Sequence, residues 1–188
     1  KATEDITWLG AFFHSTSART AGFSTYPLGT FSNASLFVLT VLMFIGASPG
    51  STGGGIKTTT FFALIQAIKS VATNKPCTAF KRKIPTEVIS KAFIVTLLSA
   101  FVVCIGTFLL CILEPDCTFI QLLFEVTSAF GTVGLSTGIT PHLSDASKLI
   151  LTLTMYIGRL GALAIVTLWA FKPTPPLVRY SEENITIG

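Results

Sequence analysis

Charged side chains are what this sequence has least of. Only 12% of its 188 residues are Asp, Glu, Lys or Arg, about half the share carried by an average soluble domain. Half of the residues are hydrophobic and the mean hydropathy is +0.70. An ordinary water-soluble globule is excluded, and the chain belongs in lipid. No charge occurs between Arg19 and Lys57, and none in the 22 residues from Ala92 to Leu113, about the length that crosses a hydrocarbon core as a helix. A third apolar stretch, Leu149 to Phe171, is interrupted only by Arg159.

Metal-ligand spacing is also lacking. Cys77, Cys104, Cys111 and Cys117, like His14 and His142, have no partners at the intervals a metal needs. Cys104 and Cys111 fall in an apolar span and read as small hydrophobes. Cys111 and Cys117 are close enough in sequence to meet near the outer surface, although free thiols are the default. The net charge of +4 is too small to suggest a nucleic-acid partner, and none is expected. Its distribution speaks to topology. Lys69, Lys75, Lys81, Arg82, Lys83 and Lys91 crowd one loop, and Lys172 and Arg179 follow the last apolar stretch. The positive-inside rule puts both segments in the cytoplasm, with Glu114 and Asp116 outside.

A phosphate-binding loop can be set aside. "GASPGSTGGGIKTTT", residues 46–60, comes close to G-x-x-x-x-G-K-[ST], but Ile56 separates Gly55 from Lys57. The motif requires glycine directly before lysine and a strand upstream. Leu36 to Ile45 reads as membrane helix instead, and no acidic residue closes an apolar strand anywhere. Neither an enzymatic reaction nor a tightly bound cofactor is expected.

What the chain does have is an internal repeat. Residues 20–46 align without a gap over 132–158, an offset of 112, with 12 identities in 27 positions. Each copy opens on a partly apolar segment, 4–18 or 118–130, too short to cross a membrane and suited to a re-entrant half-helix. Thr20, Ala21, Gly22, Phe23 and Ser24 follow in one copy, and Thr132, Val133, Gly134, Leu135 and Ser136 in the other. A long helix then opens near Ser32-Asn33 or Ser144-Asp145, which are good N-caps. A second outer helix, 87–113, precedes the second half-helix. Its counterpart would precede Lys1, so the chain is expected to be part of a longer protein.

Thr-x-Gly-x-Ser at this point suits a dehydrated cation. Backbone carbonyls pointing at one axis can replace its water, and glycine allows the backbone such a path. Ala21, Val133, Phe23 and Leu135 are expected to pack back against the scaffold. Irregular backbone at this depth needs a protein or water cavity around it.

"SARTAGFST", "SPGSTGGGIKTTT", "TSAFGTVGLSTG" and "MYIGRLGALAI" resemble the Trk/Ktr/HKT superfamily of potassium transporters, most of all the pore-forming membrane subunit of the bacterial Ktr type, over nearly the whole chain. The resemblance implies an all-α membrane protein of four helix–half-helix–filter–helix units around one potassium-channel-like pore. This chain would hold the third unit without its first helix, 1–72 (half-helix 4–18, filter 20–24, broken helix 33–72). A cytoplasmic basic loop, 73–85, would lead to the fourth unit, 86–171 (helix 87–113, half-helix 118–130, filter 132–136, helix 145–171), and a cytoplasmic tail, 172–188. The two Thr-x-Gly-x-Ser stretches would supply two of four filter walls, with K⁺ at their carbonyls. Ser24 and Ser136 stand where potassium channels place a final glycine, so sodium as cargo or coupling ion stays open. So does a non-conducting membrane scaffold.

Gly46, Ala47, Ser48, Pro49, Gly50, Ser51, Thr52, Gly53, Gly54, Gly55 and Lys57 are expected to break the helix below the filter, since proline and glycine disfavour it. The resemblance makes this segment the intramembrane loop that gates the ion path. Arg159 follows Gly158, the repeat partner of Gly46, so it is expected level with the loop and in contact with it. An arginine at this depth is costly unless paired or wetted. Glu125 is read as a hydrogen-bond partner of nearby backbone or as counter-charge, and Arg19 as a brace on the first half-helix. The resemblance further implies a homodimer of full-length subunits in the bilayer, on a cytoplasmic nucleotide-binding ring docked through 69–91 and 172–188.

Overall fold

A computed structural model describes residues 7–51, 53–79 and 82–161. Expectations for 4–6, Thr52, Lys81, the far end of the last helix and the tail 172–188 lie outside the described residues.

Two short helices form the centre. α1 (Trp8–Ser17) starts where the Thr7 hydroxyl accepts from Gly10 N at 3.2 Å. α5 (Phe119–Gly131) starts on a capping box, in which Gln121 reaches back to Thr118. At 1.5 Å per residue these helices are about 15 and 20 Å long, roughly half to two-thirds of a hydrocarbon core. A threonine with positive φ follows each, Thr132 (52°) as the C-cap of α5 and Thr20 (75°) three residues beyond α1. The chain then runs on without regular structure through 21–27 and 133–139.

α2 (Asn33–Phe44) and α6 (Asp145–Leu160) open alike. Ser32 Oγ accepts from Ser35 N, and Ser144 Oγ accepts from Ser147 N. Each satisfies a helix-end donor that would otherwise need water. Where one broken helix over 33–72 is expected, the chain makes two helices. α2 stops at Phe44, and α3 (Thr58–Thr73) resumes after a loop of about a dozen residues. The basic loop holds a small antiparallel ribbon, β1 (Thr78–Ala79) with β2 (Arg82–Lys83), which the sequence does not signal.

α4 (Thr86–Leu113) is the one helix long and apolar enough to cross a membrane among the described residues. One face exposes Phe93, Ile94, Leu97, Phe101, Ile105, Phe108 and Ile112, while Ser99, Val103, Gly106, Thr107 and Leu110 are buried. Outward hydrophobes at helical spacing are what a lipid solvent demands. The buried face packs on α5 and α6 at Gly106, where a Cβ would lie 3.0 Å from Val126 Cγ1.

α5 is the hub. Its Phe124 joins Leu36, Leu39 and Met43 of α2, and its Leu122, Val126, Ala129 and Phe130 join Val103, Leu110, Leu143 and Leu151. Gly158 lets α6 close on the end of α5, since a Cβ there would sit 1.9 Å from Phe130 O. All four cysteines are free thiols.

Candidate functional site: two glycine strands over a looped helix break

The two Thr-x-Gly-x-Ser strands lie against each other. Gly22 has φ +77° and faces Val133, whose carbonyl oxygen would be 2.1 Å from a Cβ at this position. Gly134 has φ +91°, with Gly22 Cα 3.9 Å from its Cβ position. Left-handed backbone together with close approach is the situation only glycine tolerates.

Each strand is tied back to its own helix by one serine. Ser17 Oγ donates to Phe23 O, and Ser128 Oγ donates to Leu135 O at 2.6 Å. Those two carbonyls are therefore turned into the scaffold. The carbonyls of Thr20, Ala21 and Gly22, and of Thr132, Val133 and Gly134, accept no hydrogen bond among the described residues. Ser24 O and Ser136 O accept none either, so the row of acceptors is interrupted only at the fourth of the five residues expected in each strand. The serine hydroxyls are committed too, Ser24 Oγ to Tyr26 O and Ser136 Oγ to Glu125 Oε1.

Val133 and Leu135 are 4% and 2% exposed, packed with Ala18, Leu28 and α2 from the other copy. Phe23 is 70% exposed and Ala21 is exposed, against the expectation that they pack inward. Leu135 is covered by the neighbouring repeat, and among the described residues none plays that part for Phe23.

Glu125 is buried behind the second strand and grips its outer end. Oε1 accepts from Ser136 Oγ (2.7 Å), Thr137 N (2.8 Å) and Thr137 Oγ1 (3.1 Å), and Oε2 accepts from Thr140 Oγ1 (2.9 Å). The corresponding residue in the first copy is His14, found once "HSTSA" is laid over "EVTSA" at an offset of 111. His14 is buried, its Nε2 is 3.3 Å from Thr25 Oγ1, and its Nδ1 has no partner. Thr25 and Thr137 are repeat partners at the offset of 112. An ungapped comparison misses this pair, because Arg19 stands where the second copy has Phe130 and Gly131.

Loop 46–57 lies directly beneath both strands. Its neck is closed by Gly46 N donating to Ile56 O (2.9 Å) and Ile56 N donating to Phe44 O (3.1 Å). Ser48 O accepts from Ser51 N around Pro49 and Gly50, the latter at φ +84°, the residues a type II turn asks for. Gly53 meets Thr20, whose Cγ2 would be 2.8 Å from a Cβ there. Gly54 N donates to Thr132 Oγ1 at 2.9 Å. Two adjacent loop glycines thus touch the first residues of two different strands. Lys57 bends back over the loop, and its Nζ donates to Gly53 O at 2.6 Å and to Ser51 O at 3.2 Å.

Arg159 differs from expectation. It is exposed and forms no hydrogen bond or ion pair among the described residues, which include loop residues 46–51 and 53–55. It borders an open cavity of about 630 Å³ with Thr132–Ser136, Met155 and Tyr156. The offset gave its depth, but each helical residue turns about 100°. Gly158 is the residue pressed on Phe130, and its successor points elsewhere. The Arg19 side chain is likewise exposed and braces nothing described.

Residues 3–180 match the family model described as TrkH, cation transport protein. The chain belongs to the TrkH cation transport family. It is 40% identical over its whole length to the Ktr system potassium uptake protein D of Bacillus subtilis, covering 42% of that protein. It is 39% identical over 96% of its length to the Ktr system potassium uptake protein B of Vibrio alginolyticus, covering 40% of it. The potassium/sodium uptake protein NtpJ of Enterococcus hirae is 35% identical over 94% of the chain and 41% of that protein. The crystal structure of the potassium transporter TrkH from Vibrio parahaemolyticus superposes with a TM-score of 0.68 at 22% identity, covering 82% of this chain and 35% of that one. The fold is that of a helical membrane transporter, as expected, and the chain spans about two-fifths of the curated relatives it matches.

Proposed function

We propose that the chain is the two-repeat part of a pore-forming subunit that takes up K⁺ across the cytoplasmic membrane. Residues 20–24 and 132–136 would be two walls of the selectivity filter, with K⁺ at their free carbonyls. Loop 46–55 with Lys57 would be the gate. One observation carries this reading: Gly53 and Gly54 lie against Thr20 and Thr132, so one loop meets both strands where an ion would leave them. Carbonyls without hydrogen bonds are tolerable in lipid only beside water or an ion, and a filter supplies both. Arg159 would act through its charge beside the second strand. The basic loop 69–91 and the tail 172–188 would face the cytoplasm. There they would meet a nucleotide-binding ring, under a homodimer of full-length subunits.

The test is rubidium uptake by the full-length protein in a potassium-transport-deficient host, with Gly22→Ser and Gly134→Ser variants. Uptake by the parent and a changed K⁺/Na⁺ preference in the variants support the filter. No uptake by the parent supports a scaffold. Sodium as cargo is a second reading, favoured by the likeness to a protein named for potassium/sodium uptake, and sodium uptake that outpaces rubidium would establish it.

A further inference from the structure

Lys57 is the N-cap of α3, where the helix dipole disfavours a positive charge. The first turn of α3 has no acidic residue, and no ion pair to Lys57 occurs among the described residues. Its ammonium is balanced by oxygen dipoles instead: Gly53 O at 2.6 Å, Ser51 O at 3.2 Å and Ser51 Oγ at 3.4 Å. Three oxygens for three N–H donors is a complete set. A dehydrated monovalent metal ion asks for the same ligands, carbonyl and hydroxyl oxygens in place of water. The seat also lies on the ion's route, because Gly53 touches Thr20 and Gly54 bonds Thr132.

We propose that Ser51 and Gly53 form a monovalent-cation site on the loop, and that the Lys57 ammonium is its built-in occupant, competing with the transported ion. This rests on the transport reading above and adds a mechanism to it. A lysine that only latches the loop would limit how often the gate opens. A lysine that occupies an ion site would be displaced as the ion concentration rises. The two differ in which kinetic constant they control.

The experiment measures rubidium uptake by the full-length protein against rubidium concentration, for wild type, Lys57→Gln and Lys57→Arg, at matched membrane levels. Losing one charge-assisted contact set lowers the half-saturating concentration about tenfold in Lys57→Gln. Lys57→Arg keeps the charge, but its planar guanidinium does not fit a three-oxygen seat, so its half-saturating concentration falls as well. If Lys57→Gln does not reach the membrane, the arginine variant decides alone. A raised maximal rate with unchanged half-saturation makes Lys57 a latch and overturns the proposal. Lys57→Arg kinetics equal to wild type mean that charge acts at a distance, and also overturn it. A wild-type protein without uptake removes the transport reading and this site with it.

Discussion

Removing the carboxyl group of Glu125 should release the outer end of the second strand. In Glu125→Ala the Thr137 N–H loses its acceptor while buried, which costs about 1–3 kcal/mol. The hydroxyls fare better, because Ser136 Oγ and Thr140 Oγ1 already lie 2.9 Å apart and can turn to each other. With the space left by the side chain, the total is about 3 kcal/mol, near the low end for breaking a buried polar network. Glu125→Gln is a different perturbation. Its amide oxygen can keep Ser136 and Thr137, and its NH₂ can donate to Thr140 Oγ1, so only charge assistance is lost, about 1 kcal/mol. Thermal unfolding of the full-length protein in detergent, with rubidium and sodium uptake alongside, reads both. Glu125→Ala should unfold about 5 °C or more below wild type and lose its ion preference, and Glu125→Gln should lie near wild type in both. Equal damage from the two variants would refute the hydrogen-bond account and leave the charge as the active property. An undisturbed Glu125→Ala would refute the role altogether.

Two further outcomes follow from the geometry. Thr132→Val keeps shape but removes the acceptor of Gly54 N, weakening the loop's hold on the strand by about 1 kcal/mol, so if the loop is the proposed gate, maximal rubidium uptake should rise several-fold, and an unchanged rate would count against the bond as a restraint. The Ser144 backbone N–H and the Ser147 hydroxyl each donate to Glu114 Oε1 at 2.8 Å and hold the Glu114 carboxyl below its ordinary value of 4.5. A depressed carboxyl stabilises the fold above its unfolded pKa, and that contribution disappears as pH falls through the folded value. The unfolding-temperature gap between wild type and Glu114→Gln should therefore be steady above pH 4.5 and close below it; a gap unchanged down to pH 3 would contradict this.

Much of the architecture can be read from local chemistry. Ser32 and Ser144 announce their helices because an N-cap bond spans only three residues. The two Thr-x-Gly-x-Ser strands stand out because positive φ demands glycine wherever the fold recurs. Pro49 and the glycines mark the helix break for the same kind of reason. What escapes the sequence depends on direction or on distant partners. Nothing near Lys57 says that its side chain turns back onto Ser51 and Gly53. The offset of 112 sets the depth of Arg159 and is silent on which way it faces. Ser17 and Ser128 look like ordinary helix-end serines until the chain folds over to bring Phe23 O and Leu135 O to them. The His14 and Glu125 pair is hidden by a single inserted residue, which an ungapped comparison cannot cross.

In the proposed transport reading, ions pass between the strand carbonyls at 20–22 and 132–134. Anomalous diffraction from crystals of the full-length protein soaked in rubidium locates the ion directly. Density within coordination distance of those carbonyls, on the side away from Ser17 and Ser128, is the predicted result. Rubidium bound elsewhere, with these carbonyls lined by packed side chains, would contradict the account.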